Sequence, residues 1–284
     1  MKLLAMLLLL VLRRIEWRRD PATWRDTLDG ILLLPWPLAA LLARTAAGRL
    51  LVLVLLWAAA GFVVRFGLAD VLLSLPLLAL YVALLWTLIG RDRLGHDINE
   101  YLRLWYLHDP VILRRFVRTR FGVAVDGMTD AGLHRAVLGA IFVRAFRENF
   151  VWIIVFAFTG LPGLLALAVI AAAHKAGDRD ALLPQVAAET RERLDWLAAR
   201  LLGVTLLLTG NSARAWPILD NRLLDDEDPS AELLADVCVA AAGVAPQPSG
   251  EPDVGLDMAD ARGLLLRTQV IWILLMSVSV IIGF

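Results

Sequence analysis

The chain has 284 residues, 59% of them hydrophobic, and its mean hydropathy is +0.69. Soluble globular domains contain a smaller apolar fraction, so this composition predicts a membrane protein. The 28 basic residues balance the 28 acidic ones, and Lys2 and Lys175 are the only lysines. No arginine run is typical of a nucleic-acid groove, so no nucleic-acid partner is expected. A single cysteine, Cys238, excludes an intrachain disulfide.

The sequence carries none of the familiar cofactor signatures. The four histidines do not share metal-ligand spacing, and there is neither a P-loop nor a G-x-G-x-x-G fingerprint. No metal ligand and no catalytic residue is assigned, and the cofactor stays unknown. We therefore look for function in the polar residues that accompany the apolar segments.

The apolar runs and the amphipathic segments predict an all-α fold, a polytopic helical membrane protein. It has about four spans, interfacial or re-entrant helices and a helical soluble portion. The predicted divisions are 1–48 for N-terminal interfacial or re-entrant helices, 49–90 for a transmembrane hairpin, 91–149 for a cytoplasmic helical segment, 150–173 for a central broken span, 174–263 for a helical segment with a partly inserted helix at 194–210, and 264–284 for a C-terminal span.

The first part of the chain predicts interfacial helices and then a membrane hairpin. Leu3–Leu12 is too short to cross a bilayer and has no cleavage site, so we expect a retained interfacial helix. Gly30–Ala43 is uncharged but broken at Pro35, which favours an interfacial or re-entrant segment. Leu50–Val64 and Val71–Gly90 then predict the two spans of the hairpin.

Segment 91–149 predicts three helices. The first ends at Asp109–Pro110, the second follows directly, and the third is capped by Thr129 or Asp130 and continues into the central span. Ten arginines lie in this segment and seven in 13–49. By the positive-inside rule both segments are expected on the cytoplasmic side.

The central segment, Phe150–Ala173, has 24 consecutive uncharged residues and is interrupted by Gly160–Gly163. A helix of that length crosses a hydrocarbon core of about 30 Å. Pro162 lacks a backbone donor, so we expect the helix to kink or divide and to be buried among neighbouring helices. A full crossing places 174–263 in the periplasm, whereas a re-entrant course keeps that segment in the cytoplasm.

The second half predicts a long helix from Leu183 to Thr209, a shorter helix from Ala231 to Ala242, and a flexible linker over Ala245–Asp253. The last predicted span is Leu264–Phe284. It is interrupted only by Arg267 near its start.

Two clusters of polar residues are candidate ligand-binding sites. The first is Arg147, Glu148 and Asn149, at the entrance of the broken central span, where broken helices can expose backbone groups to a ligand. The alternative is a solvated helix entrance ahead of a proline kink.

The second cluster is Asp195, Trp196 and Arg200, followed by Asn211. Arg200 lies in an otherwise apolar helix, where a charge is costly unless it is paired or hydrated. Asp195 or Glu148 is the expected carboxylate partner. The alternatives are a structural ion pair, an arginine that reaches the headgroups, and an anion-binding residue for phosphate, carboxylate or a lipid headgroup.

The order of these features resembles the AmpE family of inner-membrane proteins tied to β-lactamase induction. It is more distantly similar to the adenosylcobinamide-phosphate synthase family of cobalamin biosynthesis. The resemblance is carried by Leu194–Leu201, by the aromatic run Phe150–Gly163, by Gly90–Asp92, by the apolar N-terminal start and by the single C-terminal span. The Leu-Asp-Trp…Ala-Arg-Leu pattern within 194–201 is the most specific match.

The resemblance implies an inner-membrane signalling or sensor protein, linked to cell-wall recycling and β-lactamase regulation, that is non-catalytic. Its expected partners are an anhydro-muropeptide or other anionic ligand, a cytoplasmic amidase, membrane lipids and a second copy of the chain. The alternatives are a cobinamide-synthase-like amide-forming membrane enzyme and a transporter or lipid-binding protein. Ala145 and Asn149 stand where carboxylates of the synthase family are expected, and Glu148 is the carboxylate that remains.

Overall fold

The computed structural model describes residues 3–8, 22–67, 75–89, 93–177, 180–225, 228–244 and 253–282. All regular structure in these ranges is helical, which confirms the all-α class. Residues 3–8 are helical. The later helices, numbered in chain order, are α1 (Ala22–Leu32), α2 (Trp36–Leu42), α3 (Ala46–Gly67), α4 (Leu75–Leu88), α5 (Arg93–Tyr106), α6 (Pro110–Phe121), α7 (Asp130–Ala145), α8 (Val151–Thr159), α9 (Leu161–Lys175), α10 (Leu183–Thr209), α11 (Ser212–Arg222), α12 (Ser230–Ala241) and α13 (Val254–Ile282). A π-helical turn, Phe146–Phe150, joins α7 to α8.

The chain forms two compact units. The first unit comprises Met1–Ile89, Val151–Leu194 and Trp272–Phe284, and the second comprises Gly90–Phe150 and Asp195–Ile271. In the first unit α9 packs against α3, and in the second unit α12 packs against both α7 and α11. Each unit is assembled from segments far apart in sequence, whereas the predicted divisions followed the chain continuously.

Several predicted helix ends are confirmed by their capping contacts. The Asp109 carboxylate accepts hydrogen bonds from the amides of Val111 and Ile112, which starts α6. The Thr129 hydroxyl accepts one from the Gly132 amide at 3.2 Å, which starts α7. Both caps satisfy amides that have no partner within the helix. The long helix predicted from Leu183 to Thr209 is α10, which has the same bounds.

Three elements differ from their predicted form. Helix α11, which contains Pro217, has no counterpart among the predicted helices; Asn211 caps its start and Pro217 is exposed. Helix α13 begins at Val254 rather than Leu264, because the Asp253 carboxylate accepts a hydrogen bond from the Leu256 amide at 3.1 Å. Helix α3 continues to Gly67, beyond Val64, where the first predicted span ends.

Some predictions fall on parts of the chain outside the described residues. These are residues 9–12 of the first predicted helix, residues 71–74 of the second predicted span, Gly90–Asp92, residues 245–252 of the linker, and residues 283–284 at the end of the last span.

Within the described residues, α3 is the one helix that is long and apolar enough to cross a membrane, as judged by length and composition. The mean hydropathy of its most apolar 18-residue window is 2.3, and 17% of that window is buried. Helices α4 and α9 are shorter apolar helices. The set of about four spans that the sequence predicts therefore stays a prediction.

The central apolar segment divides at Gly160, as predicted. Helix α8 ends at Thr159, and Gly160 adopts φ 69° and ψ −143° before α9 begins with Pro162 in its first turn. A positive φ is readily adopted by glycine and is strained for other residues. The Gly160 amide donates to the Phe156 carbonyl at 3.0 Å, and the Gly160 carbonyl accepts from the Leu164 amide at 3.1 Å. Both backbone groups of Gly160 are therefore paired.

Helix α3 lies directly against this break. A Cβ atom added at Gly61 would lie 3.1 Å from the backbone N and Cα of Pro162 and from Cδ1 of Leu165. Leu161 and Leu164 are almost completely buried. The predicted burial of the central segment among neighbouring helices is thus confirmed within the first unit.

We expect Gly61→Leu to lower the free energy of unfolding by about 1–3 kcal/mol, the usual cost of overpacking. The added side chain meets backbone atoms of Pro162, which cannot rotate away. Thermal unfolding of the purified protein in detergent, followed by circular dichroism, measures the effect. Gly67→Leu is the matched control in the same helix, because no atom lies within 4 Å of its added Cβ. Equal midpoints for the two variants would contradict the packing of α3 on the break.

Candidate functional site

The π-helical turn Phe146–Phe150 carries the first predicted cluster. Phe146 and Phe150 are buried and anchor the turn, while Arg147 is exposed and Glu148 and Asn149 are half-buried. A π-helical turn widens the backbone and is costly, and such turns occur frequently at functional sites. The three predicted residues therefore lie together on an unusual turn, rather than on a regular helix entrance.

A buried carboxylate organises the charges beside this turn. Asp97 on α5 is 2% exposed and accepts a hydrogen bond from Nη1 of Arg144 at 2.7 Å. Arg144 also donates from Nε to Oε1 of Glu148 at 2.9 Å, one helical turn later. Burial opposes the charge of Arg144, yet the hydrogen bonds to Glu148 and Asp97 keep its pKa above the ordinary value. Arg144 thus ties Asp97 and Glu148 together as a charged bridge.

Two arginines at this network make longer contacts and expose half of their side chains. Nε of Arg120 lies 3.8 Å from Oδ1 of Asp97, and the Arg120 side chain is 52% exposed. Nε of Arg147 lies 3.9 Å from Oδ2 of Asp195, and the Arg147 side chain is 50% exposed. Asp195 is 2% exposed. At these distances the attraction is coulombic, and about half of each arginine side chain is exposed.

Arg200 and Trp196 form a clamp on the segment that follows α11. The Arg200 guanidinium lies 4.4 Å from the centre of the Trp196 ring, a cation–π contact. It donates hydrogen bonds to the carbonyl oxygens of Leu223 at 3.2 Å and Asp225 at 2.5 Å. Nε1 of Trp196 also donates to the Asp225 carbonyl, at 3.1 Å. Two of the described hydrogen bonds of Arg200 therefore hold main-chain carbonyls just after α11, and a third, at 3.4 Å, goes to the Trp196 carbonyl within α10.

Asn211 has a role at a helix end as well. Its side-chain oxygen accepts a hydrogen bond from the Arg214 amide at 3.3 Å and caps α11. Its own amide donates to the Ala241 carbonyl at 2.8 Å, at the end of α12.

The structure thus places all seven predicted site residues in the second unit, but in separate groups. Arg147 and Asp195 face each other, Glu148 joins them through the π-helical turn and bonds Arg144, and Trp196 stacks on Arg200. Asn149 lies on the same turn as Arg147. Their assignment as ligand-binding residues remains a prediction.

Sequence reasoning missed a buried polar trio in the same unit. His134 on α7 is 1% exposed; its Nδ1 lies 3.1 Å from the Tyr101 hydroxyl and its Nε2 lies 3.2 Å from Oδ2 of Asp257. Burial lowers the pKa of His134 despite the opposing effect of Asp257. Burial, with a smaller contribution from Asp130, raises the pKa of Tyr101. No spacing in the sequence links residues this far apart.

In the described residues, no group of three or more His, Cys, Asp or Glu side chains is arranged to hold a metal ion. Comparisons with family models, curated proteins and solved structures find no match to this chain.

We expect Arg200→Ala to lower the free energy of unfolding by about 2–3 kcal/mol, because the carbonyls of Leu223 and Asp225 lose a charged donor. Arg200→Lys should recover little of this loss, since an ammonium group cannot reproduce the planar fork of the guanidinium. Urea unfolding followed by circular dichroism measures both variants. Arg193→Ala is the control, an exposed arginine earlier in α10 whose loss should change stability by less than about 0.5 kcal/mol. If Arg200→Lys were as stable as wild type, the stabilising role of the Arg200 guanidinium would be contradicted.

Stability should fall as the pH drops below 6.5, the ordinary pKa of histidine. His134 has a lowered pKa in the folded protein, so the unfolded chain takes up the proton first. Stability stops falling once the pH is below the lowered pKa of His134 in the folded protein. His134→Gln cannot bind that proton, and its unfolding midpoint should depend less on pH between about 7.5 and about 5.5. His96→Gln, a variant at an exposed histidine, is the control and should keep the wild-type pH dependence. If the unfolding midpoints of wild type, His134→Gln and His96→Gln all changed equally with pH, the prediction for His134 would be wrong.

Proposed function

We propose that this chain is a multi-pass protein of the bacterial inner membrane that acts as a signalling or sensor protein linked to cell-wall recycling and β-lactamase regulation. In this role it binds a small anionic ligand, such as an anhydro-muropeptide, or a cytoplasmic amidase, without turnover. The arginines at the π-helical turn are the observation that carries the ligand-binding part. The resemblance to the AmpE family supports the choice of ligand.

The membrane location is supported by the exposure of the apolar helix α3. Core helices of soluble proteins can be equally apolar, but they are mostly buried, whereas 17% of the apolar window of α3 is buried. Its large exposed side chains are Leu51, Leu55, Phe62, Val63 and Phe66. A surface of this kind is costly in water and favourable in lipid. Helices α4, α9 and α13 are proposed as the further membrane segments.

The anionic ligand is supported by the chemistry of the network. Asp97 and Asp195 are buried and fix the positions of arginines that are half exposed. An incoming carboxylate or phosphate can bind the half-exposed Arg147 side chain while Asp195 stays buried beside it. Arginine presents several donors in a plane, which suits this two-sided role. The short bond between Arg144 and Asp97 keeps the network in place.

Titration of purified protein with an anhydro-muropeptide tests the proposal. We expect Arg147→Gln to weaken binding by about tenfold to a hundredfold, the usual loss for one charge-assisted hydrogen bond. Arg118→Gln is the matched control. Its side chain is 57% exposed and is paired with Asp126, remote in sequence from the π-helical turn. Circular dichroism establishes that both variants keep the fold.

Two outcomes would contradict the proposal. The first is the same affinity for Arg147→Gln and wild type, which removes Arg147 from the site. The second is the absence of binding heat for any muropeptide together with a normal β-lactamase response in a strain that lacks the gene. That result would remove the sensing role.

A further inference from the structure

Helix α9 runs antiparallel to the apolar helix α3. Its first turn lies near the end of α3, where a Cβ atom added at Gly61 would be 3.1 Å from the backbone N and Cα of Pro162. The chain just after α9 lies beside the first turn of α3, since Nη1 of Arg49 is 2.8 Å from Oδ2 of Asp180. Along α3 these two contacts are about 18 Å apart, and α9 rises about 20 Å between them. The start of α3 and the end of α9 therefore lie at the same end of the first unit.

The start of α8 lies near the same end, because it contacts the first turns of α10. A straight helix from Trp152 to His174 would rise about 33 Å. However, Nδ1 of His174 lies 3.2 Å from the carbonyl oxygen of Pro184, in the first turn of α10. About two turns later on α10, the Arg191 guanidinium lies 5.8 Å from the centre of the Trp152 ring. The helix between these contacts rises about 10.5 Å, which matches a chain that turns back at the break rather than one that continues straight.

The break itself has the geometry of a change in direction. In a continuous helix, residues four positions apart each have room for a side chain. Here the Thr159 hydroxyl occupies the space that a Cβ atom at Gly163 would need. Between them Gly160, with φ 69° and ψ −143°, is far from the helical region. Glycine at both positions therefore allows α9 to leave the break in a direction different from that of α8.

The distribution of basic residues assigns this end of the first unit to the cytoplasm. Arg44 and Arg49 lie at the start of α3, and Lys175 closes α9 with its Nζ 2.7 Å from the Asp29 carboxylate. The opposite end of α3 contributes Arg65, and residues 66–90 contain no basic residue. Basic residues are concentrated in the cytoplasmic loops of membrane proteins. The start of α3 and the end of α9 are thus cytoplasmic if α3 spans the membrane.

The proposed ligand site contains residues from both sides of the α8–α9 segment. Arg147 precedes α8 and Asp195 follows in α10, yet the two side chains lie 3.9 Å apart within the second unit. A segment that returns to the side from which it entered allows this pairing without another crossing of the membrane.

We propose that α8 and α9 form a re-entrant pair that enters the membrane from the cytoplasm and turns back at Gly160–Gly163, so that the site at Arg147 takes its anionic ligand from the cytoplasm. The inference rests on the proposed membrane location of the chain and adds the compartment from which the ligand comes. It decides between the two courses that the sequence leaves open, because the chain after α9 then stays on the cytoplasmic side.

The test measures the accessibility of single cysteines in bacterial cells that produce the full chain. Cys238→Ala removes the buried native thiol, and one cysteine is then introduced at an exposed position. The positions are Ala47→Cys at the start of α3, Gly67→Cys at its end, Thr119→Cys in α6 before the segment, and Leu182→Cys after it. Spheroplasts are treated with a membrane-impermeant maleimide before and after lysis, and the labelled protein is recovered from the membrane fraction.

We expect Gly67→Cys to react in intact spheroplasts, whereas Ala47→Cys, Thr119→Cys and Leu182→Cys gain label only after lysis. If Thr119→Cys and Leu182→Cys react on opposite sides, the segment crosses fully; this overturns the inference and leaves the proposed function standing. Reaction of both in intact spheroplasts places both ends of the segment in the periplasm and overturns it as well. If Gly67→Cys and Ala47→Cys react on the same side, α3 does not span the membrane, and the proposed membrane location fails together with the inference.

Discussion

The second unit depends on one constraint, that a charge removed from water needs a partner inside the protein. Moving an ion into a low-dielectric interior costs several kcal/mol even after relaxation, and removal of one partner from a buried pair costs about 3–5 kcal/mol. Asp97 and Asp195 are each 2% exposed, so both need a cation held nearby. Arg144 meets this need for Asp97 at 2.7 Å, and its second bond to Glu148 fixes the π-helical turn. Helix α5 is thereby tied to the end of α7.

The first unit handles charge differently, because the buried side chains among its described residues are apolar. Two ion pairs in this described part join residues near helix ends: Arg49 lies 2.8 Å from Asp180, and Lys175 lies 2.7 Å from Asp29. Between these ends the close approach of Gly61 to Pro162 packs α3 against α9. Close packing of apolar residues thus sets the arrangement of these helices in the first unit, whereas ion pairs fix the geometry in the second unit. The proposed membrane location of the first unit and the proposed ligand site of the second unit are consistent with this difference in how they are stabilised.

Local signals explain which parts of the fold could be predicted. The caps at Asp109 and Thr129, the division at Gly160 and the ends of α10 each depend on residues within a turn or two of the feature. A helix across Pro217 could not be predicted, because an interior proline normally ends a helix and only the exposed surroundings and the Asn211 cap allow it here.

The candidate site was predictable only in part, for a related reason. The residues of its π-helical turn were identified, but the turn has no sequence signature of its own. The hydrogen-bond partners were harder still to predict, because Arg144 and Asp97 are 47 positions apart in the sequence and His134 and Asp257 are 123 positions apart. Such pairs form because the fold brings their helices together, and a single sequence contains no periodicity that reports this.

The contrast between Arg147 and Arg200 decides which arginine is suited to a ligand. Both were candidates because a charge beside apolar sequence needs an explanation. Arg200 is 5% exposed, and its donors engage carbonyls whose positions depend on it, so an anion could reach it only by dismantling the clamp. Arg147 is half exposed and 3.9 Å from Asp195, so it can bind an anion while that carboxylate stays where it is. The burial of Arg200 therefore indicates a role in stability, and the partial exposure of Arg147 beside a buried acid is the reason that the proposed ligand site is centred on Arg147.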